Sequence, residues 1–176
     1  MAEEIINRVE KSGLVTIDLA EYYHNGERIV WDIADYLFRG MNLREKEYRQ
    51  VLKDTDWSAY EGRNVAITCS ADAIVPTWAY MLTATYMADR VNMVVVGDLA
   101  TLEYALFRDA LEKIELGPLK DAKVVVKGCG SLPVPPSAYV ELTLKLQPVV
   151  ASLMYGEPCS TVPLYKKARS RPAERS

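Results

Sequence analysis

Residues 14 to 19, LVTIDL, alternate apolar and polar side chains, as a strand with one dry face does. YYHNGE follows and reads as a turn, with Asn25-Gly26 as its signal. IVWDI, residues 29 to 33, reads as a second strand. The two predict an N-terminal β-hairpin whose loop is longer than the tight two-residue kind. Residues 42 to 53, NLREKEYRQVLK, change to helical spacing. Asn42 is the expected N-cap, and Leu43, Val51 and Leu52 form the apolar side.

From residue 64 the pattern changes again. VAITC (65–69), MVVVG (93–97) and KVVVKG (123–128) are compact β-branched runs, the pattern of strands covered on both faces. Each precedes a small or polar turn and then a helical stretch, and the runs start about 30 residues apart, the length of a βαβ unit. Pro76 suits a first helical turn. Asp98 is placed to cap LATLEYALFRDALEKI, in which Leu99, Leu102, Leu106, Ala110 and Ile114 share a face. A third helix is expected over about 137–154, stacking Leu142, Leu146, Val149, Val150 and Leu153, with Pro148 as a bend. Right-handed crossovers would join the three strands into one parallel sheet. The expectation is a single α/β domain over residues 1–167. Its sheet is largely parallel, flanked by helices, and an N-terminal β-hairpin adds at the edge. Residues 156–167 read as a short edge strand, and 168–176 as a disordered basic tail.

Composition narrows the function. Of 176 residues, 49% are hydrophobic, enough for a full core. The net charge of −3 lacks the basic face of a nucleic-acid binder, so no nucleic-acid partner is expected. No apolar run approaches the roughly 20 residues that span a bilayer, and MAEEIINRVEKSG lacks the apolar stretch of a signal peptide. The reading is a cytoplasmic protein without a membrane partner. Phosphate-binding glycine loops are absent.

The candidate chemistry lies in three cysteines, Cys69, Cys129 and Cys159. An odd number at long spacings does not make a secreted disulfide framework, and a reducing compartment keeps them as thiols or metal ligands. Cys69 and Cys129 fall at the carboxyl ends of predicted strands, where parallel sheets bind ligands. Helix N-termini and the N–H groups of a Gly-Cys-Gly turn favour thiolate there. Cys159 is harder to bring in. A helix ending at Met154 finishes near the opposite edge, and five residues span at most roughly 17 Å against the roughly 27 Å of an 18-residue helix. Either the helix breaks at Pro148, or Cys159 reaches a second subunit of a homodimer. His24, the single histidine, rules out a multi-histidine metal site within one chain.

CSADAIVPTWAYM, VVVKGCG with PVPPSAYVELT, and SLMYGEPCSTVP closely resemble a bacterial family, domain of unknown function 2480. The resemblance runs from about residue 12 to 167 and includes LREKEYRQ and DWSAYEGRNVAI. It implies that all three cysteines lie within family motifs. It also implies a loose association with gene neighbourhoods for iron–sulfur assembly. His24 lies outside these motifs.

Three readings stand. In the first, three thiolates hold zinc or an iron–sulfur cluster, with water, Asp72, Glu157 or His24 completing a zinc site. In the second, Cys129 is the nucleophile of a thiol enzyme or sulfur carrier. In the third, the cysteines are structural in a non-catalytic binding or assembly protein with an unidentified protein partner. Its contact candidates are Trp57, Tyr60, Tyr155 and the basic tail.

Overall fold

The computed structural model describes residues 7–9, 14–128, 130, 132–157 and 160–168, with backbone alone at 7–9. These residues pack as two compact units. The first comprises Met1–Tyr23 and Phe107–Ser176, the second His24–Leu106.

In the first unit a five-stranded sheet runs in the order β1 (Asn7–Val9), β2 (Leu14–Asp18), β6 (Lys123–Lys127), β7 (Ser152–Glu157), β8 (Ser160–Lys166). In the second a three-stranded sheet runs β3 (Arg28–Asp32), β4 (Asn64–Thr68), β5 (Met93–Val96). The helices are α1 (Glu45–Asp54), α2 (Thr77–Met87), α3 (Leu99–Glu112) and α4 (Pro136–Leu146). The second unit ends within α3, at Leu106. The fold is α/β with largely parallel sheets, helices against them and an antiparallel N-terminal strand pair, as the sequence pattern predicts. Among the described residues no helix is long and apolar enough to cross a membrane.

The pairing differs in detail from the expected hairpin. The antiparallel pair is β1 with β2, Asn7 opposite Thr16 and Val9 opposite Leu14. LVTIDL and IVWDI do not pair with each other. β2 lies parallel to β6, and β3 parallel to β4. The reason is local. Each strand ends in an aspartate whose Oδ1 accepts the N–H two residues on, Ala20 for Asp18 and Ala34 for Asp32, both at 2.9 Å. The chain then enters a 3-10 turn, Leu19–Tyr22 or Ile33–Tyr36, instead of doubling back. The three β-branched runs also divide: β4 and β5 share one sheet, while β6 lies in the other.

Two helix boundaries are corrected. α1 begins at Glu45 with Arg44 at its N-cap, and Asn42 instead closes a bridge with Phe38. α4 stops at Leu146, just before Pro148, and Ser152–Glu157 form a strand parallel to β6. Proline removes a donor and clashes with the preceding turn, so it ends this helix instead of bending it. The predicted edge strand is β8, antiparallel to β7. Residues 169–176 of the basic tail lie outside the described residues.

The two units are built to one plan. A constant shift of 59 residues takes β4 onto β6 (Asn64 to Lys123) and α2 onto α4 (Thr77 to Pro136). The same shift carries tertiary hydrogen bonds across. Gly62 N–H donates to the Arg90 carbonyl as Asp121 N–H does to Val149, and Asn92 N–H to Arg63 as Ala151 N–H does to Ala122. Gly62 and Asp121 both take left-handed backbone, φ 69° and 56°. A shift of 14 takes β2 onto β3, with Asp18 and Asp32 equivalent. The buried pair Tyr48 and Leu52 of α1 matches Phe107 and Leu111 of α3.

Each unit has its own core. Ile17, Val124 and Val126 of the first pack with Phe107, Leu111, Ala138, Leu142 and Leu146. In the second, Val65 and Ile67 face Tyr48, Leu52, Ala79 and Met87, while Ala66 faces Leu102 and Leu106 of α3. β4 is therefore covered on both faces. Trp57, a candidate contact residue from sequence, is buried. It stacks on Trp31 (5.2 Å between centroids) and Tyr86 (5.7 Å), and its Nε1–H donates to the Leu52 carbonyl at 2.8 Å.

A buried hydrogen-bond chain crosses this second core. Trp31 Nε1–H donates to Tyr48 Oη at 3.0 Å. Thr83 Oγ1 donates to the Ala79 carbonyl at 2.8 Å, so the Tyr48 hydroxyl donates to Thr83 Oγ1. Tyr48→Phe leaves the Trp31 N–H without its acceptor. A destabilisation of about 1–3 kcal/mol is expected by urea unfolding, with Thr83→Val and Tyr48→Phe non-additive.

Candidate functional site

In both units the ligand-accepting edge of a parallel ladder is the carboxyl end of its strands. In the second unit, Cys69 follows the last residue of β4. It is half-buried against that unit's core, and its thiol donates weakly to the Ala71 carbonyl, with sulfur and oxygen 3.6 Å apart. Asp32, at the end of neighbouring β3, accepts the Ser70 N–H at 3.0 Å as well as that of Ala34. The loop after Cys69 is thereby tied to the next strand. Burial works against the charge of Asp32, but hydrogen bonds from the Ser70 side chain and backbone and from Ala34 outweigh it. They hold the carboxyl below its usual range.

Asp98 follows β5 and caps α3 as predicted, its Oδ1 accepting from Thr101 N–H and Oγ1–H, each at 2.8 Å. Gly97 before it has φ 146°, and its equivalent Gly156 has φ 123°. Side chains rarely adopt this backbone, and a Cβ would meet Thr101 at one position and the Ser160 carbonyl at the other. Asp72 does not cap α2. That helix begins at Thr77 with Pro76 at its N-cap, and Asp72 is an exposed loop residue.

In the first unit, β6 ends at Lys127 and is followed by Gly128. Lys127 Nζ pairs with Asp18 Oδ2 at 3.1 Å. This hydrogen bond and attraction, with further pull from Glu157 and Glu21, raises the lysine above its ordinary range. The Tyr155 hydroxyl donates to the Gly128 carbonyl at 3.3 Å. A Cβ at Gly128 would overlap the Tyr155 ring, so glycine is what admits the tyrosine here. Tyr155 meets Tyr139 edge-on, 5.8 Å between centroids. Glu157 is the last residue of β7 and half-buried.

Cys129 and Cys159 lie outside the described residues. The strands that precede them, β6 and β7, are adjacent and parallel, with Val126 opposite Tyr155. The helical spacing predicts a helix through Met154 that runs away from this edge; Ser152–Glu157 is instead β7, which runs toward it. Among the described residues, no three His, Cys, Asp or Glu side chains form a ligand set. His24 has Nδ1 committed, accepting from Gly26 N–H at 3.0 Å with the Asn64 side-chain amide at 3.1 Å. A groove of about 500 Å³ lined by Tyr36, Glu47, Gln50, Val51, Asp54 and Thr55 contains no cysteine.

Sequence reasoning missed Asp18, Asp32 and Lys127. A signal was present, since TIDLAEY at 16–22 and VWDIADY at 30–36 repeat one pattern around each aspartate.

The aspartate of that pattern has a testable electrostatic signature. Asp32 is depressed in the folded state, so its stabilisation is complete above the unfolded pKa near 3.9 and fades as pH falls through the folded value. Asp32→Ala is expected to cost about 1 kcal/mol at neutral pH, as loss of a capping side chain does. Urea titrations should show that difference shrinking below about pH 4.

No curated protein matches the chain, and no solved structure does. A family described as "Protein of unknown function (DUF2480)" matches residues 3–167, nearly the whole length. The chain therefore belongs to the DUF2480 family.

Proposed function

We propose that this protein binds a thiophilic metal centre, zinc or an iron–sulfur cluster, with Cys129 and Cys159 as thiolate ligands. The observation that carries the reading is the parallel pairing of β6 and β7. Both cysteines come two residues after the last residue of their strand, Lys127 or Glu157. Adjacent strands lie about 4.8 Å apart, and two sulfurs on one zinc each sit about 2.3 Å from it, so neighbouring strand ends suit a shared ion. Glu157 supplies an oxygen donor next to the Pro158-Cys159 segment, and water completes a four-coordinate site. Cys69, at the end of β4, belongs to the second unit and stands outside this pair of ligands. A cytoplasmic setting goes with this reading, because a reducing compartment keeps the thiols available.

The test is metal and acid-labile sulfide analysis, with a visible absorption spectrum, on protein purified without oxygen. Iron with sulfide and a broad visible band supports a cluster, and zinc alone supports a mononuclear site. Cys129→Ser and Cys159→Ser should each lower metal content at least about ten-fold. Cys69→Ser is the control and should leave metal content unchanged. Colourless protein that takes up neither iron nor zinc overturns the proposal.

A further inference from the structure

The shared plan isolates one contact that only the first unit makes. The Tyr155 ring lies over Gly128, and its hydroxyl donates to the Gly128 carbonyl at 3.3 Å. Tyr139 of α4 meets the same ring edge-on, 5.8 Å between centroids. The backbone at Gly128 is not left-handed, so its conformation alone does not call for glycine. A Cβ there would fall on the tyrosine ring and hydroxyl, and that overlap is what excludes a side chain.

The second unit builds the same ladder without this contact. The shift of 59 residues takes Cys69 onto Gly128, Val96 onto Tyr155 and Tyr80 onto Tyr139. Val96 stands opposite Ile67 as Tyr155 stands opposite Val126, in the same parallel register. Pairing the third strand with the central one therefore needs neither the glycine nor the ring. The same shift sets Ser70 and Ala100 in the second unit against Cys129 and Cys159 in the first. The seated tyrosine thus goes with the thiols. Gly128 directly precedes Cys129, and Tyr155 is four residues before Cys159. The paired register of β6 and β7 ends at Val126 and Tyr155, and the hydroxyl bond carries the tie on to Gly128.

We infer that Tyr155 is a positioning residue for the thiol pair: seated on Gly128, it fixes the gap between the chain segments that carry Cys129 and Cys159. This role rests on the two thiols meeting, as proposed above, and not on which metal they hold.

Thiol–disulfide exchange with glutathione tests it on the full chain, freed of metal with a chelator and carrying Cys69→Ser so that the pair alone reacts. One protein thiolate attacks oxidised glutathione and releases a glutathione thiolate. The other attacks the protein sulfur of that mixed disulfide and releases the second. The two leaving thiolates take up the protons that the protein thiols gave up. The equilibrium constant reports how closely the chain holds the pair. Tyr155→Ala and Gly128→Ala should each lower it about ten-fold, and together no further, because both break one contact. Tyr155→Phe keeps the ring and loses the hydroxyl, and should lower it about three-fold, the worth of one neutral hydrogen bond. Val162→Ala is the control. It lies opposite Tyr155 on β8, on the far side of β7 from β6, and should leave the constant unchanged. Circular dichroism and thermal melting show that each variant is folded, and if an alanine variant is not, Tyr155→Phe carries the test. A wild type that forms no disulfide within the chain overturns the inference. So does a constant that the Tyr155 and Gly128 variants leave unchanged, or one that Val162→Ala lowers equally. Protein that takes up no metal yet responds to Tyr155 in this assay supports the positioning role and overturns the metal reading alone.

Discussion

Everything in each unit is arranged around one central strand that water does not reach. Val65, Ala66 and Ile67 of β4 are at most 1% exposed, and Val124, Val125 and Val126 of β6 at most 3%. A strand in that position must have both backbone edges paired, since an unpaired buried N–H or carbonyl costs about as much as a lost hydrogen bond. β4 is flanked by β3 and β5, and β6 by β2 and β7, all parallel. Parallel neighbours cannot be joined by tight turns, so the crossover helices follow from the burial of these two strands.

The same constraint fixes the place for chemistry. Parallel strands collect their carboxyl ends on one edge, where the chain must turn into helices and where small or polar residues are required. Each unit fills that edge alike: an aspartate that ends β2 or β3, a loop after the central strand, and a glycine followed by an acidic residue at the third, Gly97-Asp98 or Gly156-Glu157. The units then diverge. In the first, Lys127 sits against Asp18, and Tyr155 lies over Gly128. In the second, Thr68 replaces the lysine, and Asp32 accepts the Ser70 N–H. This divergence, on a shared backbone plan, puts an ion pair and a tyrosine–glycine contact on the first unit's edge.

Much of the secondary structure is legible in the chain. The runs VAI at 65 and VVV at 94 and 124 are strands because stiff β-branched side chains lose freedom in a helix and pack well on a pleated sheet. Asp98 caps its helix because a carboxylate before a helical run meets free N–H groups. Legibility fails where two structures share one pattern. SLMY at 152–155 continues the helical spacing of α4 and is also a short apolar strand, and periodicity alone does not separate the two. LVTIDL and IVWDI look like hairpin partners because they are neighbours in sequence. The repeated Ile/Trp-Asp-Leu/Ile-Ala pattern was the sign that they are instead equivalent members of two units.

By itself, the sequence determined the α/β class, the strand runs near 65, 93 and 123 and the place of Cys69 at a strand's carboxyl end. These depend on side-chain type and short-range spacing, which a linear chain carries in full. Only the tertiary structure decided that β6 leaves the company of β4 and β5, that β7 lies beside β6, and that Trp57 is buried. Each of these is a choice among partners far apart in the chain. It is settled by which apolar faces and open backbone edges can be covered at once, and no local stretch of residues records that sum.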